Sequence, residues 1–572
     1  MKAIKKLRNL FKTNKIDGYL VPKNDEFFSE YVPKTKDNLK FISNFSGSYG
    51  FALILKNINY LFVDGRYTLQ AKIQCDKYFK IVTLSKKFPS DILKNKKLSI
   101  GFDPKLHTEI ALNRLFKKCN CKLVPINDNL IDKIWIRKSI NKYKKFYKLK
   151  NKYTGQSSNL KVKTLLKALL KNKINLQFIS ASENVAWLLN IRGADSEFTP
   201  IPNSYAILDV QNKVYFFCNL QKINKKFKKN LKNVEIKDIN YIKQFILKIK
   251  NKKVQLDNKS CSILFKSIIK KNNTIIEKED PIYSLKSIKN KVEIKNIIKT
   301  HKYDGAALTK FLFWIKNNFK NKKISELSAQ DKLLEFRKNN KTFKSLSFPT
   351  ISGSGSNGAI IHYKANKKTN KILKKGDLYL VDSGGQYNFG TTDVTRTISL
   401  DNDEPKIKNI FTRVLKGHIA VENYKLNKNT YGSEIDIAAR KSLRQINLDY
   451  AHGTGHGVGY FLNVHEGPHA ISNGNKINFK EGMIVSNEPG YYKNGKFGIR
   501  IENLITVIKH KNKLCFSSLT LAPIDKSLIE KKLLNNKEIY WLNKYHSKVF
   551  KNLKNFMNKT ELAELKDSCS NI

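Results

Sequence analysis

Asp382 ends the apolar run Leu378-Tyr379-Leu380-Val381, and Asp393 opens Asp393-Val394-Thr395-Arg396-Thr397-Ile398, with Gly384, Gly385 and Gly390 between them. The pattern predicts a β-hairpin. A turn centred between Tyr387 and Asn388 sets the two carboxylates opposite one another, with Cβ atoms about 5 Å apart. Carboxylates that close repel unless a proton or a cation lies between them. Taken alone, the pair reads equally well as two solvated turn aspartates.

Further donors follow in the same part of the chain. His452-Gly453-Thr454-Gly455-His456-Gly457-Val458-Gly459 is too rich in glycine for a stable helix, so His456 is expected on extended or loop backbone. Glu488 follows the apolar run Met483-Ile484-Val485 and precedes Pro489-Gly490, at the end of a strand. In Ile499-Arg500-Ile501-Glu502, alternation puts Arg500 and Glu502 on one face and the isoleucines on the other. Asp382, Asp393, His456, Glu488 and Glu502 together offer four carboxylates and one imidazole, with no thiolate. Such a set suits manganese, cobalt or magnesium better than a structural zinc. Five side chains exceed what one ion needs, and two ions about 3.5–4 Å apart would use them all.

The elements that position these residues belong to the last of several domains, since 572 residues exceed one core and suggest about three or four. The first half holds a diverged internal repeat. Lys40-Phe41-Ile42-Ser43-Asn44-Phe45-Ser46-Gly47 matches Ala186-Trp187-Leu188-Leu189-Asn190-Ile191-Arg192-Gly193, and residues 52–55 and 60–63 match 206–209 and 214–217. Each copy reads as a helix, a glycine turn and two strands, preceded by a helix and a short strand at Tyr19-Leu20-Val21 or Gln177-Phe178-Ile179. Both copies are therefore expected to be α/β domains. Their borders are placed near residues 135–155, around Asn141-Lys142-Tyr143-Lys144-Lys145, and near 283–290. The third domain opens with helical periodicity at Val292, Ile294, Ile297, Ile298, Ala306, Leu308, Phe311 and Leu312.

Hydrophobic residues at 41% and aromatics at 11% provide for packed cores and exclude a disordered chain. The net charge of +61 invites a nucleic-acid reading. Lysine, however, far outnumbers arginine and is spread from end to end beside abundant Asn and Ile, which is the mark of a compositional bias in the coding sequence. Weak association with nucleic acid or a membrane surface is the lesser alternative. Seven cysteines without zinc spacing point to reduced structural thiols. The lysine-rich start lacks the apolar core of a signal peptide, and no run approaches about 18 apolar residues, so a cytoplasmic protein is expected.

These residues also carry a resemblance. Ser347-Phe348-Pro349-Thr350-Ile351-Ser352, Gly358-Ala359-Ile360-Ile361-His362-Tyr363, Thr391 to Thr397, His452 to Pro468, Asn487-Glu488-Pro489-Gly490-Tyr491-Tyr492 and Gly498 to Asn503 closely resemble the pita-bread metallopeptidases of family M24. Within them, the likeness is to the three-domain Xaa-Pro aminopeptidases. It extends to Asp64-Gly65-Arg66-Tyr67 and Ala186–Gly193 in the first half and to Leu519–Ile524 and Trp541-Leu542-Asn543 near the end.

The resemblance implies two creatinase-like α/β domains, at 1–140 and 150–285, followed by an α+β pita-bread catalytic domain with a C-terminal extension at 288–572. It implies Asp382, Asp393, His456, Glu488 and Glu502 as ligands of two divalent ions, usually Mn(2+), with Asp393 and Glu502 bridging. His362 and His465 would contact substrate and transition state, His452 would wall the proline side, and Arg66 would help bind the peptide. Without the resemblance, the two loop histidines read as solvated and Arg66 as a surface ion-pair residue. A homodimer acting on peptides with proline second is implied, with no specific nucleic-acid or membrane partner. Departures are Ser356 where proline is common, Ala451 where a basic residue is usual, and Asn44 where glycine is frequent; none removes a ligand.

The mechanism expected is hydrolysis by a metal-activated hydroxide, with Glu488 as general base and His465 steadying the oxyanion. Xaa-Pro bonds call for a dedicated site because the tertiary amide lacks an N–H and proline restricts the residue before it. The rival readings are a prolidase restricted to dipeptides and a pita-bread binding module without catalysis.

Overall fold

Apolar runs alternating with amphipathic helices in the first half of the chain form two six-stranded sheets with one topology. The computed structural model describes residues 2–75, 77–84, 86–137, 143–231 and 233–572, divided into a unit Met1–Tyr283 and a unit Ser284–Ile572. The first domain border, expected around Asn141 and Lys142, falls partly outside the described residues.

In the first unit, the first sheet comprises β1 (Gly18–Pro22), β2 (Phe51–Leu55), β3 (Asn59–Val63), β4 (Lys80–Thr83), β5 (Ser99–Phe102) and β6 (Lys122–Pro125). The second comprises β7 (Leu176–Ile179), β8 (Ser204–Asp209), β9 (Lys213–Cys218), β10 (Val234–Asp238), β11 (Lys253–Leu256) and β12 (Thr274–Glu277). The strand order is β4-β3-β2-β1-β5-β6 in one and β10-β9-β8-β7-β11-β12 in the other. In both, the central strand pairs antiparallel on one side and parallel on the other. The internal repeat is thus a repeat of topology.

The helices Asn38–Ser43 and Ser182–Leu189 precede β2 and β8 as expected, but the residues that turn the chain are asparagines. Asn44 and Asn190 close the helices at φ 63° and 56°, a left-handed conformation that asparagine tolerates better than other side chains. Gly193 serves close packing instead, since a Cβ there would lie 2.8 Å from Pro202 Cα.

The second unit begins with the helix Lys291–Asn318, whose capping box joins Asn290 and Glu293. Ile297, Leu308, Phe311 and Leu312 of the expected apolar stripe are buried, whereas Val292 and Ile298 are exposed, and Glu293 is buried in the first turn by its cap. The strands are β13 (Phe343–Leu346), β14 (Ile351–Ser354), β15 (Leu378–Ser383), β16 (Gly385–Tyr387), β17 (Gly390–Thr391), β18 (Val394–Ser399), β19 (Gly455–Gly457), β20 (Glu466–Ile471), β21 (Ile484–Asn487), β22 (Gly490–Lys493), β23 (Phe497–Arg500), β24 (Asn503–His510) and β25 (Lys513–Ser518). They form the sheets β13-β16-β17, β14-β15-β18, β20-β19-β21-β24-β25 and β22-β23.

Beneath the sheets the helix Pro405–Glu422 contributes Phe411, Val414 and Leu415 to a cluster shared with Ile499, Ile501 and Leu542, all essentially solvent-free. Each such side chain stabilises the fold by about 1.5–3 kcal/mol on burial, so the backbone that presents Arg500 and Glu502 is held from below. All seven cysteines are unpaired. Among the described residues no helix is long and apolar enough to cross a membrane.

Candidate metal centre

The hairpin forms, in a register two residues from the one expected. Asp382 pairs with Thr395 and Ser383 with Val394, and the tip pairs Gln386 with Thr391 and Tyr387 with Gly390. The turn is centred on Asn388 and Phe389, so Asp393 lies diagonal to Asp382. An even offset keeps a side chain on its face of the ribbon, whereas an odd one would have thrown it to the other. Asp393 falls where the ribbon leaves the sheet of β15 and β18 and enters that of β16 and β17. A Cβ at Gly384 would sit 1.9 Å from the Thr392 carbonyl oxygen, so only glycine lets the chain pinch there.

The imidazole arrives from β19. Gly455 presses against β21, where an added Cβ would come 1.9 Å from the Ser486 carbonyl oxygen. His456 donates Nδ1–H to the Gly457 carbonyl at 3.0 Å, which aims Nε2 at the carboxylates, 3.5 Å from Asp393 Oδ2 and 3.5 Å from Glu488 Oε1. Ser486 serves two members at once, receiving the His456 backbone N–H at 2.9 Å and donating its hydroxyl to Glu488 Oε1 at 3.0 Å. Glu488 follows β21, whose last residue Asn487 exchanges hydrogen bonds with the buried His418, Nδ2 to carbonyl at 2.9 Å and carbonyl from Nδ1 at 3.1 Å.

Glu502 stands between β23 and β24. Thr395 donates its hydroxyl to Glu502 Oε2 at 2.7 Å and accepts from Arg500 Nε at 3.0 Å. Arg500 Nη2 reaches Asp382 Oδ2 at 2.6 Å. Arg396, fully buried, donates to the carbonyl oxygens of Thr395, Glu502, Ala522 and Pro523, freezing the backbone behind Glu502. Ligand atoms of Asp393, His456 and Glu502 all lie within 4.8 Å of one another.

The electrostatics of this cluster call for cations. Burial pushes the Asp382 carboxyl from an ordinary aspartate's 3.8 up to about 6 against the pull of Arg500, with Asp393 adding to the rise. Burial, then the charges of Asp393, Glu488 and Asp382, hold the Glu502 carboxyl well above the carboxylate range, and burial raises Glu488. Burial alone would lower His456, yet its hydrogen bond to Asp393 and the charges of Glu488 and Asp393 lift it to about 9. Asp382 Oδ1 is buried without a hydrogen-bond partner among the described residues, the neighbouring Thr395 hydroxyl being committed to Glu502. Hard oxygens, one oriented imidazole and an orphaned carboxylate oxygen fit divalent cations.

Of the other expected residues, His465 is exposed and its ring lies 4.2 Å, centroid to centroid, from that of His456. His452 donates Nδ1–H to the Gly453 carbonyl at 2.7 Å, so Nε2 accepts from the Tyr492 hydroxyl at 2.9 Å. That hydroxyl in turn accepts from Arg500 Nη1 at 2.6 Å. His452 is therefore tied through Tyr492 and Arg500 to Asp382. His362 occupies a half-buried turn closed by Tyr363 N–H to the Ile360 carbonyl at 2.9 Å. Arg66 belongs to the first unit, where its guanidinium grips Asp64 at 2.7 Å with both side chains about a third exposed. Thr395, Ser486, Tyr492 and Arg396 were not singled out from the sequence. Alternation about Arg500 and Asp382 could have marked Thr395, but nothing local marks the rest.

Residues 4–134 match a model described as the creatinase/prolidase N-terminal domain, and residues 137–293 match a second one so described. Residues 295–509 match metallopeptidase family M24, and residues 512–572 the C-terminal region of that peptidase. A probable Xaa-Pro aminopeptidase P of Laccaria bicolor is 38% identical over 95% of this chain and 89% of its own. Xaa-Pro aminopeptidase 1 of Dictyostelium discoideum is 36% identical over 98% and 94%. The X-prolyl aminopeptidase of Caenorhabditis elegans, described as a cytosolic enzyme with a di-nuclear active site, superposes with a TM-score of 0.94 at 31% identity, covering 100% of this chain and 99% of its own. The prolidase of Pyrococcus furiosus, 25% identical with a TM-score of 0.51, covers 62% of this chain and 98% of its own. These matches bear out the expected order of two related α/β domains before a pita-bread domain.

Proposed function

We propose, from the premise that this chain belongs to metallopeptidase family M24, that it removes the first residue from peptides whose second residue is proline. Two divalent cations, best manganese, would be held by Asp382, Asp393, His456, Glu488 and Glu502. Bound there, they would supply water activated as a nucleophile and an anchor for the free amine of the peptide. The observation that carries this reading is the buried carboxylate cluster with Asp382 Oδ1 left without a partner.

The chain's own groups divide the remaining work. Glu488 keeps a side chain 18% exposed, the most open of the ligand carboxylates, and takes the proton of the attacking water as general base. Ser486 on its Oε1 leaves the other oxygen for that proton. His465, at the exposed rim beside His456, donates to the oxyanion. His452, with Nε2 occupied by Tyr492, offers its ring edge as a wall for proline. His362 and Arg66 contact the peptide.

Full-length kinship with named Xaa-Pro aminopeptidases supports an aminopeptidase over a prolidase; the Pyrococcus furiosus prolidase spans 62% of this chain. The domains are assigned to 1–140, 150–285 and 288–572, and the protein to the cytoplasm as a homodimer. The test is release of the first residue from an Xaa-Pro-Xaa peptide by manganese-loaded protein. Cleavage of dipeptides alone would establish the prolidase instead.

A further inference from the structure

We infer that Glu326 is a positioning residue of this site, fastening the excursion 354–371 that carries His362. Glu326 opens the helix Glu326–Lys338 behind the cap Ser325 and is fully buried. Its Oε1 accepts from the Ser354 backbone N–H at 2.8 Å and from Asn357 Nδ2 at 2.9 Å. Its Oε2 accepts from the Tyr363 hydroxyl at 2.8 Å, the Lys371 backbone N–H at 3.0 Å and Asn357 Nδ2 at 3.0 Å. The partners lie at the beginning, middle and end of one stretch of chain. Its backbone joins in, with Glu326 N–H donating to the Lys371 carbonyl at 2.9 Å.

Between those anchors the chain leaves β14 at Ser354 and runs to Lys371 with only a short helical turn, Gly355–Ala359, of its own. Irregular backbone of this length samples many conformers unless something fixes it. An apolar residue at 326 could not, because every group that converges there is a donor. A buried carboxylate with both oxygens satisfied can. Lys371 also donates its ammonium to the Ser356 hydroxyl, tightening the same stretch.

His362 stands immediately before Tyr363 and after Asn357, two of the fastened residues. The stretch also rests on the strand beside the metal centre, through an anchor separate from Glu326. A Cβ on Gly498 would come 1.8 Å from the Gly358 carbonyl oxygen, so the stretch packs backbone to backbone on β23. That strand ends at Arg500, which holds Asp382. Losing the Glu326 carboxylate frees the stretch and lets His362 drift, and a displacement of about 1 Å costs on the order of 10²-fold in rate.

This inference rests on the substrate role proposed for His362, and a double-mutant cycle separates the two. Manganese-loaded wild type, Glu326→Ala, Glu326→Gln, His362→Ala and both double variants are compared for kcat and KM on an Xaa-Pro-Xaa peptide, with metal counted per chain. Glu326→Ala is expected to lower kcat/KM about 10- to 100-fold at unchanged metal content. In the His362→Ala background the same change should cost less than about threefold, because residues acting as a unit are not additive. Glu326→Gln keeps one acceptor oxygen and should fall between, and it carries the cycle if the alanine variant does not fold. Multiplicative losses while His362→Ala is itself impaired would overturn the positioning role alone, as would loss of metal on changing Glu326. An unimpaired His362→Ala enzyme would overturn the substrate role of His362 and this inference with it.

Discussion

Asp280 in the first unit and Asp382 in the second are both buried aspartates, and burial pushes both carboxyls up to about 6. Their surroundings differ in the donors that each receives. Asp280 Oδ1 accepts from Gln177 Nε2 at 2.9 Å and the Ile282 N–H at 3.0 Å, and its Oδ2 accepts from Asn184 Nδ2 at 2.8 Å. Asp382 receives Arg500 on Oδ2 and has an orphaned Oδ1 among the described residues. A raised pKa therefore reports burial in both places, and the inventory of donors tells them apart. At Asp280 the fold supplies hydrogen bonds to both oxygens, and at Asp382 it leaves one without; Asp25 Oδ2 in the first unit is likewise without a partner, so it is the orphaned oxygen together with the neighbouring Asp393, Glu488 and Glu502 that marks the candidate ligand.

The largest effect that would break this comparison is catalytic. Asp382→Ala and Asp393→Ala should each lower kcat/KM at least about 10³-fold, a loss of about 4 kcal/mol or more of transition-state stabilisation, with fewer metal ions per chain by elemental analysis. Asp280→Asn should keep its full metal complement, because it removes a hydrogen-bond acceptor from the first unit and no ligand. Peptidase activity surviving Asp393→Ala would sink the two-metal reading.

A second effect is an inversion of stability. In chelator, burial and the charges of Asp393, Glu488 and Asp382 keep Glu502 protonated, so Glu502→Gln exchanges one neutral group for another and should raise or preserve the melting midpoint of the metal-free protein. With manganese the order should reverse, since cations at 1,000 times their Kd stabilise the wild type by about 4 kcal/mol and the variant gains little of this. Asp280→Asn should instead melt lower than wild type in both conditions, by about 1–3 kcal/mol for a buried acceptor replaced. Scanning calorimetry with and without manganese reads all three.

The sequence revealed the ligands more readily than their setting, for physical reasons. Asp382, His456 and Glu488 each follow or interrupt an apolar or glycine-rich run, so local pattern alone places them at the ends of extended segments. The hairpin register escaped because two even offsets put Asp393 on the same face of the ribbon, and aspartate spacing cannot choose between them. What chooses is the tip, where Phe389 is buried rather than solvated. Arg396 shows the other limit: its acceptors at Glu502, Ala522 and Pro523 lie more than a hundred residues away, and no local periodicity reports them. The two sheets of the first unit were legible because each strand and helix recurs in order, even though asparagine does the turning that glycine was expected to do.

The smallest expected effect sharpens the comparison through pH. Asp280 holds its proton more tightly in the folded chain, about 6 against an ordinary 3.8, so the folded state binds more protons between those values and stability falls as pH rises through the window. The contribution is full below about pH 3.8 and gone above about pH 6, and between pH 5 and pH 6.5 it should decline by about 1 kcal/mol. Asp280→Asn cannot titrate and should lose that slope with or without manganese. Asp382→Asn should lose its share only in chelator, because a cation on the wild-type carboxylate leaves no proton to release. Denaturant midpoints of the three proteins at those two pH values decide the matter, and equal slopes in all of them would show that neither aspartate titrates in the folded chain as its burial requires.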